Sequence, residues 1–179
     1  MMVVPHKDAY AAKGQGNLLA FLLARYPQLG TVQILPQTRT MRLGFFVKGS
    51  WKMESFAEFG SYLGENIGAV AQLAGKEIGC FDLRVSRHDD LSVIEIDRDT
   101  GSITLEEIAL IVALLEEQFG TYLIRSDDDF QGDDLNWDDG AVQHVLEDIS
   151  RGVHLEELFG FREEGRIMVF CKSTASGTS

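Results

Sequence analysis

The sequence predicts an α+β domain in which tandem hairpin-helix (ββα) units form one antiparallel sheet with the helices on one face, followed by a C-terminal helix and hairpin. Three observations lead there. Pairs of segments alternate apolar and polar residues with a period of two, joined by turn residues. Between these pairs, apolar positions step by three and four, the helical period. The pattern Gly49-Ser50-Trp51-Lys52-Met53-Glu54-Ser55-Phe56-Ala57-Glu58-Phe59 returns as Gly101-Ser102-Ile103-Thr104-Leu105-Glu106-Glu107-Ile108-Ala109-Leu110-Ile111, matching Gly, Ser, Glu and Ala and the apolar sites. Residues 31–74 and 79–119 therefore read as two copies of one supersecondary unit. A duplicated unit predicts a sheet of four or five strands.

Residues 1–16 hold Pro5, Gly14 and Gly16 without a sustained period and read as a flexible N-terminus. The single domain is expected over 17–172. Asn17 caps a short helix from Leu18 to Tyr26, stopped by Pro27 and Gly30. Val32 and Ile34 lead through Pro36-Gln37-Thr38-Arg39 into a strand on which Met41, Leu43, Phe45 and Val47 alternate with polar residues. Phe56, Phe59, Leu63, Ile67, Val70 and Ala74 make the longest helix, from Met53. Phe81, Leu83 and Val85 then form a hairpin with Leu91 to Ile96, turning at Arg87-His88-Asp89-Asp90. Thr104 and Glu107 have capping-box spacing, Ile103 and Ile108 can staple the turn, and the helix runs to about Gln118 before Gly120. Its apolar residues surround much of its circumference, which predicts burial between layers. Thr121 to Ile124 reads as a short strand and Asp127 to Asp139 as an acidic loop. Val142, Val145, Leu146 and Ile149 stripe a helix starting near Asp138 or Asp139, and Leu158 to Phe170 is a hairpin turning at Glu164-Gly165. Residues 173–179 read as a disordered tail.

Charge is unevenly spread. The 179 residues carry 16 Lys and Arg against 28 Asp and Glu, a net charge of −12 with the wrong sign for general attraction to nucleic acid or anionic lipid. Yet no acidic residue lies between Asp8 and Glu54, a stretch that contains Arg39, Arg42, Lys48 and Lys52. These four residues are candidates for binding a partner, either an acidic protein or RNA; neutralisation by the acidic loop is the structural alternative. Gly60, Gly64 and Gly68 recur along the long helix, where each glycine costs about 1 kcal/mol relative to alanine. Close backbone approach would offset that, to the sheet, to the next helix or across a homodimer interface.

The acidic loop aligns with a calcium-binding loop, with Asp127, Asp129, Gln131, Asp133 and Asp138 at ligand positions, although Gln131 and Asp138 depart from the usual residues. The four histidines have no metal-ligand spacing, and Cys80 and Cys171 make neither a disulfide framework nor a zinc set. Glu106-Glu107 and Glu116-Glu117 read as helix-end acids facing solvent. Neither a phosphate loop nor a nucleophile motif occurs, so a non-enzymatic role without a cofactor is expected. Leu18 to Ala24 is too short to span a bilayer and is followed by Arg25-Tyr26-Pro27 where a signal peptide would have a cleavage site, so a cytoplasmic location is expected.

Val93-Ile94-Glu95-Ile96-Asp97 followed by Gly101-Ser102-Ile103-Thr104-Leu105-Glu106 resembles the N-terminal domain of the RimP ribosome-maturation family, which implies a ribosome- or RNA-associated factor using the basic hairpin. The acidity and the helix, hairpin, helix order are also similar to type III secretion chaperones and YbjN-like proteins, which implies a bacterial protein that binds other polypeptides. The leading expectation is an adaptor or chaperone-like protein acting by protein contacts, with a protein partner or a second copy. The alternatives are an RNA-associated role and calcium binding.

Overall fold

The computed structural model describes residues 10–126, 139–152 and 154–172. Six strands, β1 (Thr31–Leu35), β2 (Thr40–Lys48), β3 (Phe81–His88), β4 (Leu91–Asp99), β5 (Glu157–Glu163) and β6 (Arg166–Lys172), form one antiparallel sheet in the order β3-β4-β2-β1-β5-β6. The registers lock because one face must be buried, and a one-residue slip would turn every apolar side chain outward. One inner row runs Leu83, Ile96, Leu43, Val32, Gly160, Val169 across all six strands; the next runs Phe81, Arg98, Met41, Ile34, Leu158, Cys171. The turns follow their residues: Glu164 and Gly165 both have positive φ, as a two-residue hairpin turn of the primed type requires.

Four helices, α1 (Tyr10–Arg25), α2 (Met53–Leu73), α3 (Leu105–Phe119) and α4 (Asp139–Ser150), share one apolar core with the inner rows. Helix α1 packs on β1, β5 and β6 and against α4, whereas α2 packs on α3 and touches β3. Gly160 permits the close seating of α1, since a Cβ there would lie 3.1 Å from Leu23 and 3.4 Å from Leu19. Phe119, at the end of α3, meets Trp51, Phe59 and Phe56 with ring centroids 5.0, 5.4 and 5.8 Å away and joins α3 to α2.

The α+β class and the antiparallel sheet with helices on one face stand as expected, with corrections of detail. The sheet has six strands because the C-terminal hairpin joins it, β5 pairing with β1. Helix α1 is already formed at Tyr10, ahead of the expected Leu18; the Gln15 amide donates to the His154 carbonyl and its oxygen accepts from the Glu156 N–H, tying these turns to the connection before β5. Thr121 to Ile124 is not a strand: Gly120–Tyr122 is a 3₁₀ turn, and Leu123 makes an isolated bridge to Val47.

A single offset does not carry one proposed repeat onto the other. Shifting by 52 positions superposes the buried Phe56, Phe59 and Leu63 of α2 on Ile108, Ile111 and Leu115 of α3. The same shift maps inward Leu43 and Phe45 onto the outward Glu95 and Asp97, the wrong face of β4. An even offset suits the helices and an odd one the strands, so the likeness lies in helix periodicity and start signals.

Candidate interaction surfaces

The outer face of the sheet, away from the helices, divides into two halves of different chemistry. One outer row runs Asp82, Asp97, Arg42, Gln33, Phe159, Phe170 and its neighbour Arg84, Glu95, Gly44, Thr31, Phe161, Met168. At the centre of the β3-β4-β2 half the charges satisfy one another. Arg42 donates to both Asp97 carboxylate oxygens at 2.7 and 3.0 Å, and its guanidinium is stabilised in the charged form first by that bond. Arg84 donates to Asp97 at 3.1 Å, and Glu95 lies 3.9 Å from Arg42. The β5-β6 half is aromatic. Phe159 packs on Phe161 at 5.3 Å and Phe161 stacks on Phe170 at 5.6 Å, with Phe159 37% and Phe170 43% exposed. Strand periodicity carries the signal of this stripe, because alternate residues of β5 and β6 share a face.

The four basic candidates do not converge. Arg39 sits in the turn before β2 and Lys48 at its far end, about 30 Å away at the usual strand rise. Arg42 is engaged as above, and the exposed Lys52 precedes α2. Of the four, Arg42 is neutralised, by Asp97 and Glu95 of β4, while residues 127–138 of the acidic loop expected to do so lie outside the described residues.

Beside the edge strand β3 a groove of about 560 Å³ runs along α2, with Met53, Ala57, Gly60 and Gly64 on one wall and Phe81, Leu83 and Val85 on the other. The glycine series therefore splits. A Cβ at Gly64 would come 3.2 Å from the Phe81 ring, one at Gly60 would make ordinary contact with Leu83 at 3.8 Å, and one at Gly68 would meet nothing within 4 Å. Packing within the chain does not demand glycine at 60 or 68, although each costs the helix about 1 kcal/mol. The glycines keep the groove open. Compared with protein-family models, curated proteins and solved structures, the chain matches none.

One polar cluster escaped the sequence reading. Arg98 lies on the inner face of β4, fully buried, and all five of its N–H donors are directed at acceptors: Glu107 Oε2 and Oε1 at 2.6 and 2.7 Å, Ser102 Oγ at 2.9 Å, the Cys80 carbonyl at 2.7 Å, and Asp99 Oδ1. Glu107 is 1% exposed, not a solvent-facing acid. Of the expected capping box only the Thr104 half forms, its hydroxyl accepting from the Glu107 N–H at 3.2 Å, while the Glu107 carboxylate is bound to Arg98. Burial pushes the Glu107 carboxyl up; Arg98 pulls it back without cancelling the shift. The cluster pins the β4-α3 connection to the start of β3.

Asp99 moves the other way. Burial raises its carboxyl, but hydrogen bonds from Ser102, the Cys80 amide and Arg98 outweigh that and hold it below the usual aspartate range. A depressed folded-state pKa contributes stability that is complete above the unfolded value of about 4 and is lost as pH falls through the folded value. Asp99→Asn therefore unfolds more easily than the wild type at pH 6, and the gap narrows steadily below pH 4, as urea titrations across pH will show.

The proposed calcium ligands Asp127, Asp129, Gln131, Asp133 and Asp138 lie outside the described residues. Among the described residues no three His, Cys, Asp or Glu side chains are placed to hold a metal, and no helix is long and apolar enough to cross a membrane. Burial raises the thiol pKa values of both Cys80 and Cys171, which disfavours the thiolate at neutral pH.

Proposed function

We propose that this chain acts by binding a partner polypeptide, docking an apolar segment of it on the aromatic half of the outer sheet face. The observation that carries the reading is the Phe159-Phe161-Phe170 stripe, continued by Met168 on the same face. Aromatic side chains are enriched where interfaces bury their centres, and burying them is a large gain that the isolated chain leaves unrealised. The charged half of the same face is internally paired, so it frames the stripe without presenting a basic array. That layout, with the net charge of −12, favours a polypeptide over RNA: on β6 beside the stripe stand Arg166 and Lys172, the latter 3.8 Å from Glu157, too few cations to track a phosphate backbone. An adaptor or chaperone-like role follows from such a surface, with no chemistry required of the site.

Photo-cross-linking tests the reading. With a benzophenone amino acid in place of Phe170, irradiation in cells of the source organism is expected to give a discrete adduct that protease removes and nuclease leaves. Adding Phe159→Ser is expected to abolish it while leaving the thermal unfolding midpoint near that of the parent, because Phe159 is an exposed residue. An adduct removed by ribonuclease would replace this reading with the RNA-associated one, and absence of any adduct would refute both.

A further inference from the structure

We propose that the free edge of β3 is a self-association site: it takes β3 of a second copy, antiparallel, about a two-fold axis at Leu83, joining two six-stranded sheets into one. The inference uses a different surface from the aromatic stripe and stands apart from it. Among the described residues strand β3 pairs on one side only, with β4. The Asp99 N–H donates to the Cys80 carbonyl, which continues the ladder in which the even-numbered residues of β3 bond to β4. In an antiparallel pair these roles alternate, so Phe81, Leu83 and Val85 direct their N–H and C=O groups at the free edge. An exposed edge of this length is a template for another strand, and proteins usually cover or blunt it.

The two sheet edges are treated differently by the fold. At the β6 edge the inward Ile167 and Val169 are buried under α1. At the β3 edge the inward Phe81, Leu83 and Val85 are only half-buried, because the groove beside α2 stays open. A two-fold axis at this edge turns the groove of one copy toward that of the other, and Gly60 and Gly64 leave room for the helices to approach.

Charge complementarity names the occupant. With the axis at Leu83, Asp82 faces Arg84 of the second copy and Arg84 faces its Asp82 on the outer side, while Phe81 faces Val85 on the groove side; within one copy Arg84 already meets Asp82 at 3.8 Å and Asp97 at 3.1 Å, but Arg84 and Asp82 stay about half exposed and open to a further partner. Moving the axis one residue to Arg84 sets Arg84 against itself and Phe81 against Arg87; moving it to Asp82 sets two aspartates together; moving it to Val85 brings Arg87 against Leu83. Opposite charges across an antiparallel pair stabilise it and like charges oppose it. Of these four registers only that at Leu83 pairs opposite charges at both outer positions and keeps apolar residues together, and β3 itself supplies that complement.

The test is a charge swap read by sedimentation equilibrium. Wild-type protein is expected to dimerise at micromolar to submillimolar concentration. Asp82→Arg alone places arginines opposite one another twice, and Arg84→Asp alone does the same with aspartates, so each is expected to dimerise about tenfold more weakly. An equimolar mixture restores two Arg-Asp pairs and is expected to recover the dimer as a mixed species. Should either variant fail to fold by circular dichroism, Leu83→Cys in a Cys80→Ser/Cys171→Ser background gives a second measurement. Its Cα atom is expected about 5.5 Å from that of its copy, within disulfide reach, so mild oxidation links it, whereas His88→Cys stays monomeric. A monomeric wild type, single variants that dimerise undiminished, a mixture that stays monomeric, or no Leu83→Cys cross-link would each overturn the proposal.

Discussion

Glu107→Leu is expected to destabilise the protein by about 3–5 kcal/mol, because it leaves Nε and one Nη2 hydrogen of the buried Arg98 without acceptors and only the partly exposed Asp99 as counter-charge. A guanidinium cannot shed its proton to relieve the strain, so the loss persists across the accessible pH range. Arg98→Met strands the opposite charge, and here relief exists. The Glu107 carboxyl already lies above the ordinary glutamate value, and without Arg98 it rises further, so protonation removes the penalty as pH falls through that raised value. The two variants should therefore be equally damaged near pH 8 and diverge toward pH 5, with Arg98→Met recovering. Combining Arg98→Met with Glu107→Leu replaces an ion pair by apolar volume and is expected to regain most of the stability lost by either change alone. Denaturant titrations at pH 8 and pH 5 on the three variants decide it; equal behaviour at both pH values would show that the pair is solvated in solution.

Phe119→Ala should cost about as much, roughly 3–5 kcal/mol, by a different route. Its ring is 2% exposed and is the one that Trp51, Phe56 and Phe59 all touch, so truncation leaves a cavity where α3 ends against α2. Because α2 has little other anchorage on the sheet, meeting it chiefly at β3, the cavity loosens a whole helix. Against a total stability of about 5–15 kcal/mol, such a loss leaves the protein marginal. The check is a large drop in the denaturation midpoint at unchanged slope, with redshifted tryptophan emission before the main transition.

The hairpins were readable because two independent local signals coincide in them. Alternation in Met41 to Val47 and in Leu158 to Phe170 sets the faces, and Pro36 to Arg39 and Glu164-Gly165 set the turns. Helix α1 was readable only from Leu18 onward. Its turns before Leu18 have no apolar step and contain Gly14 and Gly16, and their support comes from contacts of Gln15 with a segment some 140 residues away. Tertiary contact overrode propensity there. Glu107 was hidden for a similar reason: two acids in the first turn of a helix already have a sufficient local explanation in the helix dipole, so nothing in the sequence points to Arg98. The basic stretch misled because the partners of Arg42 lie on a strand more than fifty residues on. The aromatic stripe, by contrast, was legible in the period of β5 and β6, and the groove was half legible in the glycines of α2, whose opposing wall depends on which strand becomes an edge.

The pairing of β1 with β5 has a consequence for how the chain is made. Thr31 finds its partner Phe161 130 positions later, with the whole of α2, β3, β4, α3 and α4 synthesised in between. At about 5–20 residues per second, β1 stands for on the order of 10 s with one edge bare after the ribosome has delivered it. During that interval β2, β3 and β4 can assemble among themselves through near-neighbour turns, and the nascent domain has its sheet open on both sides. Closure waits for the last hairpin, a contact of high sequence separation and therefore a slow one. A chain stopped after α4 keeps most of its core-forming residues and lacks the strand that shields β1, which makes the β5-β6 hairpin the guard against aggregation during synthesis as much as a part of the finished sheet.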